Sequence, residues 1–153
     1  MDESGHIVIF SVENQRYALP LSAVDRVVRA VEVTPLPEGP DVVCGAVNVQ
    51  GRIIPVINLR RRLGLDEREI LISDQFIIAR ASKWSIALIV DSVNGVISQS
   101  GTDVIDSNEI VPGMKYIEGV VKFGDEMVMV HNLERLLSLE EERALEYAIT
   151  RNN

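Results

Sequence analysis

The chain resembles itself. Shifted by 74 residues, Gly45, Val47, Val56, Asn58, Leu59, Arg61 and Leu63 fall on Gly119, Val121, Val130, Asn132, Leu133, Arg135 and Leu137, with identity at every pair. Ile54/Val128 and Val49/Phe123 are conservative matches in the same window. A shift of 69 places Ala18, Leu19, Val24 and Val27 on Ala87, Leu88, Val93 and Val96, so the second copy holds five more residues between its two blocks. Unrelated Val-rich strands would not share glycine and asparagine at fixed offsets. A repeat of this kind is one supersecondary unit used twice.

Each copy reads as strand, turn, strand, loop, glycine-led hairpin and short helix. Ile7–Val12 and Tyr17–Leu19 flank the polar connection Glu13-Asn14-Gln15-Arg16, and Cys44–Val49 and Ile53–Ile57 flank the tight turn Gln50-Gly51-Arg52. Gln75–Ala81 and Trp84–Val90 continue the pattern, and Val24–Val33 is a Val-rich run whose Arg26, Arg29 and Glu32 suggest one wet face. Pro35, Pro37, Gly39 and Pro40 make a rigid extended loop. Asn58 can cap a short helix, Leu59–Leu63, that Gly64 would end, and Ser138 with Glu141 matches a capping box ahead of a C-terminal helix over 139–150. The repeat therefore predicts an all-β chain of two small barrels of like topology packed together, closed so that strand edges are protected. We expect one domain over 1–153, with subdomains over about 15–72 and 73–137 and an N-terminal strand, 6–13, completing a barrel.

Composition narrows the function. Aromatics are 5% of the 153 residues, so Val, Ile and Leu must fill the cores. A net charge of −8 and a pI near 4.8 repel a phosphate backbone, which excludes nucleic acid as the expected partner. The single cysteine, Cys44, forms no intrachain disulfide and is expected as a small buried hydrophobe. No apolar run approaches the roughly 18 residues needed to cross a bilayer, and the acidic N-terminus lacks a basic leader, so a cytoplasmic protein is expected, with no membrane insertion.

No catalytic constellation emerges. His6 and His131 are the histidines, with no HExxH spacing, no GxSxG elbow and no glycine-rich phosphate loop. His131 is expected to be structural. Asp66, Glu67 and Glu69 read as a solvated linker, because no apolar flank would raise their pKa values. No enzyme, metal or cofactor is expected.

The stretch Gly45-Ala-Val-Asn48-Val-Gln50-Gly51-Arg-Ile-Ile-Pro55-Val56-Ile-Asn58-Leu59-Arg60 resembles the signature Gly-x-x-Asn-x-Arg-Gly-x-x-x-Pro-Val-x-Asp-Leu-Arg of the CheW family of chemotaxis coupling proteins. Tyr17–Val24, Pro35-Leu-Pro37, Ile89-Val90-Asp91-Ser-Val93 and a late hairpin opened by Gly119 are similar too, so the resemblance spans residues 6–149. It implies two five-stranded SH3-like barrels and a non-catalytic scaffold that couples chemoreceptors to a histidine kinase. The implied partners are the regulatory domain of a CheA-type kinase and the cytoplasmic tip of a methyl-accepting chemoreceptor. By matching positions, Val24, Gly45, Gln50, Phe76 and Val93 would face the receptor, and Arg26, Val27 and Val28 the kinase. The chain departs from the family at Gln50, where arginine is usual, at Asn58, where aspartate is usual, and at Arg26, commonly acidic. A glutamine lacks the charged bidentate fork of arginine. Two other readings stand beside this one: a scaffold of a chemosensory pathway that does not control motility, and a small-molecule-binding barrel.

Overall fold

The structure is a computed structural model that describes residues 5–81, 84–98, 103–106, 117–123 and 125–151. Its strands are β1 (His6–Val12), β2 (Gln15–Pro20), β3 (Val24–Arg29), β4 (Val43–Val49), β5 (Arg52–Ile57), β6 (Gln75–Ala81), β7 (Trp84–Val90), β8 (Ser92–Ser98), β9 (Asp103–Asp106), β10 (Ile117–Phe123) and β11 (Glu126–His131). Helix α1 (Leu59–Leu63) follows β5, and α2 (Leu139–Arg151) ends the described chain.

Local chemistry accounts for the joints. The β1–β2 turn places Glu13 and Asn14 at φ 55° and 66°, and the β4–β5 turn places Gln50 and Gly51 at 52° and 84°. Two successive positive φ values match the right-handed twist of the strands they join. Asn48 Oδ1 fixes the second turn by accepting from the Gly51 N–H at 2.8 Å. The Asn58 side chain accepts from the Arg61 N–H, and Gly64 closes α1 at φ 75° in the left-handed region. Asn132, its counterpart in the repeat, accepts in the same way from the Glu134 N–H ahead of a 3-10 turn. The capping box is reciprocal: Ser138 N–H donates to Glu141 Oε1 at 2.8 Å, and Glu141 N–H donates to Ser138 Oγ at 3.1 Å.

The strands form two SH3-like barrels, one with strand order β3-β6-β7-β5-β4 and one with order β8-β1-β2-β11-β10-β9. The orders are related by the repeat. Strand β6 takes the place of β1, β7 of β2 and β8 of β3, and both barrels have one parallel pair, β5–β7 and β2–β11. The five-stranded barrel closes where Thr34 and Ala46 exchange hydrogen bonds of 2.9 and 2.8 Å. In the other barrel β9, which begins 69 residues after Thr34, pairs with β10 in the same role.

The barrels do not divide the chain at residue 72. Hairpin β1–β2 belongs to the barrel built from the second repeat, and hairpin β6–β7 belongs to the barrel built from the first. The expected subdomains, 15–72 and 73–137, are corrected on this point, because the repeats exchange their leading hairpins. The cause lies in two short connections. Strands β2 and β3 are joined by the 3-10 turn Leu21–Ala23, and β7 and β8 by Asp91. Neither connection contains a residue of positive φ. The chain cannot make a primed reversal there, so it runs on into the neighbouring barrel.

Strand alternation then sorts the apolar side chains into three clusters. Ile7, Ile9, Ala18, Val121, Val128 and Val130 fill the six-stranded barrel, and Val47, Ile54, Val56, Phe76, Ile78 and Ala87 fill the five-stranded one. The third cluster joins the two, combining Phe10, Val12, Tyr17 and Leu19 with Ile57, Ile77, Ile86 and Leu88. Leu133, Leu136, Leu137 and Leu145 cap it, so the C-terminal segment seals the seam between the barrels. Cys44 is exposed, not buried as expected. It alternates with the buried Val43 and Gly45 and points outward.

Candidate partner-binding surface

The surface follows the repeat as closely as the cores do. Val27 on β3 and its counterpart Val96 on β8 are 37% and 51% exposed, and Ile53 on β5 and its counterpart Met127 on β11 are 57% and 55% exposed. An apolar side chain left in water once is ordinary, but the same two positions left out on both barrels mark surfaces that contact something.

The kinase-facing candidates lie together on β3. Arg26 and Val27 are exposed, while Val28 is half-buried against the core of the five-stranded barrel. A bulge at Asp25 between the Val24–Ala79 and Arg26–Ile78 pairs re-aims the strand here. Among the described residues the Arg26 guanidinium meets one carboxylate, Asp25, at a loose 3.7 Å, which leaves N–H donors for a partner.

The receptor-facing candidates differ in exposure. Phe76 is 0% exposed inside the five-stranded barrel, opposite Val28, and offers no side chain to a partner. Gly45 is buried at the closing bridge; a Cβ there would stand 2.3 Å from the Thr34 oxygen. Val24 and Val93 are equivalent positions, each half-buried against the seam cluster just after a crossover. Gln50 is exposed at the tip of the β4–β5 hairpin. Val93 is tied to the other barrel by its N–H, which donates to Gln75 Oε1 at 2.8 Å.

Sequence reasoning missed an ionic clasp at the crossover. Asp91 takes the Arg60 Nη2 on both carboxylate oxygens at 2.8 and 3.0 Å, the Arg68 Nη2 at 2.8 Å and the Glu13 N–H at 2.9 Å. Arg60 also pairs with Glu13 of the β1–β2 turn. The clasp therefore joins α1 of the five-stranded barrel to a turn of the six-stranded one. Its signal was the Asp91 that ends the apolar run of β7. The acidic segment read as a solvated linker is partly committed too, because Glu67 accepts from Asn58 and from Arg61 at 2.9–3.0 Å. Asn58 thus does cap and linker work where the family pattern has aspartate. Asp91→Ala should destabilise the fold by about 2 kcal/mol in urea titration, because Arg60 and Arg68 lose a shared, partly buried acceptor.

His131 lies in the seam as expected of a structural histidine. Its ring centroid is 5.1 Å from that of Tyr17 and 6.2 Å from that of Phe10, and neither ring nitrogen has a hydrogen-bond partner among the described residues. Burial alone pushes its pKa down to about 4. Among the described residues no group of His, Cys, Asp and Glu could hold a metal ion, and no helix is long and apolar enough to cross a membrane.

A pair of strand-exchanged SH3-like barrels, with apolar strand residues exposed at matching places, defines a scaffold of the paired-barrel type. The chain belongs to the CheW-like domain family, whose profile matches residues 6–141. It is 30% identical over 146 residues to the chemotaxis protein CheW of Treponema pallidum (strain Nichols), covering 92% of this chain and 86% of that one. The chemotaxis protein CheW of Bacillus subtilis (strain 168) is 30% identical over 141 residues, covering 91% and 85%. The crystal structure of the scaffolding protein TtCheW from Thermoanaerobacter tengcongensis superimposes with a TM-score of 0.79 at 30% identity, over 90% of this chain and 95% of that one.

Proposed function

We propose that this chain is a non-catalytic cytoplasmic adaptor that couples chemoreceptors to a CheA-type histidine kinase. The observation that carries the reading is the duplicated exposure of Val27/Val96 and Ile53/Met127 on two like barrels. A scaffold needs reversible contacts, and isolated apolar residues ringed by polar ones supply them. On β3, Val27 is the apolar anchor and Arg26 and Arg29 are the polar rim, which suits docking against the regulatory domain of the kinase. Val24, Val93 and Gln50 remain as the receptor-facing residues, with Gly45 acting through the backbone it permits. Phe76 is left out, because it lies in the core.

Isothermal titration with the regulatory domain of a CheA-type kinase tests the β3 assignment. Saturable one-to-one binding is expected, weakened about tenfold or more by Val27→Asp and by Arg26→Glu, the loss of one interface anchor. Binding unchanged by both substitutions would remove β3 from the interface.

A further inference from the structure

The connection between α1 and β6 carries Ile70, Leu71 and Ile72, three consecutive branched apolar residues, all exposed and Ile72 at 92%. A slack loop could shed such residues inward, but this one is clamped. Buried Asp74 takes the Arg68 guanidinium in a fork, with both bonds at 2.9 Å, and accepts the Leu71 N–H at 2.8 Å. The Asp74 N–H returns to the Leu71 oxygen at 3.0 Å, and the Ala30 N–H donates to the Asp74 oxygen at 3.1 Å. Arg68 is held in turn by Asp91 at 2.8 Å. The tip is thus tied at its base to β3, β6 and the crossover clasp.

The tip walls an open groove with Ser73, Asp74, Gln75 and Arg29, the last two paired across β3 and β6. Asp74 is neutralised by Arg68. Arg29 is exposed and has no carboxylate partner among the described residues. The groove therefore presents apolar surface and one free guanidinium, on a chain whose net charge is −8. We infer that this groove docks an amphipathic, acidic segment of a partner protein, which sets a branched apolar side chain against Leu71 and Ile72 and a carboxylate on Arg29. Beyond a Debye length of about 8 Å at physiological salt the distant acidic surface is screened, so the local cation decides the sign of the ligand. An anionic membrane is disfavoured because attraction to it grows with each surface cation and the groove offers one, Arg29. The site adjoins the β3 face assigned to the kinase and shares Arg29 with it, but its apolar wall, Leu71 and Ile72, lies outside that face, so Ile72→Asp tests the groove apart from that assignment.

Two synthetic helical peptides, one of Leu and Glu and one of Leu and Lys at the same positions, are the probes, titrated at physiological salt into the isotopically labelled full chain and followed by amide NMR shifts. The Leu/Glu peptide should give saturable shifts at Arg29 and at 70–75, and Ile72→Asp should weaken it about tenfold. Arg29→Glu should reverse the preference to the Leu/Lys peptide, while unchanged melting temperatures of both variants keep the readout independent of folding. Stronger binding of the Leu/Lys peptide to the unaltered chain, or no shift at the groove with either peptide, would overturn the inference. Self-association in sedimentation that Ile72→Asp abolishes would also overturn it, by assigning the groove to a second copy of the chain.

Discussion

Gly45→Ala should lower stability by about 3 kcal/mol and the melting temperature by roughly 10 °C. The added Cβ would meet the Thr34 oxygen at 2.3 Å, the Thr34 carbonyl carbon at 2.9 Å and Val33 Cγ1 at 2.6 Å. These are largely backbone atoms of the bridge that closes the five-stranded barrel, so nothing nearby can swing aside. Relief would require opening the Thr34–Ala46 pair and uncovering the core behind it. Gly51→Ala is the control. Its φ of 84° is also unfavourable for a side chain, yet a Cβ there meets nothing within 4 Å. Conformational strain alone should cost it about 1 kcal/mol. Thermal unfolding of the two variants separates closure of the barrel from turn strain: equal losses would show that the bridge contributes nothing.

The second large effect is an acid-side loss of stability carried by His131. The folded state holds this histidine neutral with a pKa of about 4, against 6.5 for an unconstrained ring. The unfolded chain binds the proton first, so stability is intact above about pH 6.5 and falls as pH drops toward 4. The loss over that window is about 3 kcal/mol at its limit. Buried Asp74 and half-buried Glu141 feel burial pushing their carboxyls up, but Arg68 and Arg62 hold them below the usual range, so their contribution is lost at lower pH. The window between 4 and 6.5 thus belongs to the histidine. The repeat supplies the substitution that tests it. His131 corresponds to Ile57, which is fully buried in the same seam. His131→Ile should flatten the stability profile across that window while keeping the seam packed, as read by urea unfolding at a series of pH values. A variant as acid-sensitive as the parent would move the effect to the carboxylates.

What could be read from the chain, and what could not, follows from how local the determinants are. Hairpins, caps and the capping box were legible because Gln50-Gly51, Asn58, Gly64 and Ser138 with Glu141 act within a few residues. The two barrels were legible because glycine and asparagine recur at fixed offsets. The exchange of leading hairpins was not, since a repeat tells which segments are alike and is silent on which copy they pair with; that is decided at Leu21–Ala23 and Asp91. Phe76 was placed at the receptor by matching positions in the family resemblance; its burial was not legible because β6 is buried on both faces over most of its length, which erases the alternation that would place it. The apolar tip at Ile70–Ile72 went unread, because the acidic residues before it marked the whole connection as a solvated linker. Its rigidity was hidden, because the Arg68–Asp74 fork that clamps it is a tertiary contact.

The coupling role itself is tested most directly by reconstitution. Receptor-bearing membranes and a CheA-type kinase are combined with and without this chain, and phosphate incorporation into the kinase is followed. Receptor-dependent control of the kinase should appear when the chain is added and be lost with Val27→Asp, a substitution at an exposed position that should leave the melting temperature unchanged. Kinase activity that responds to receptor equally well without the chain, or that ignores receptor in its presence, would contradict the adaptor account.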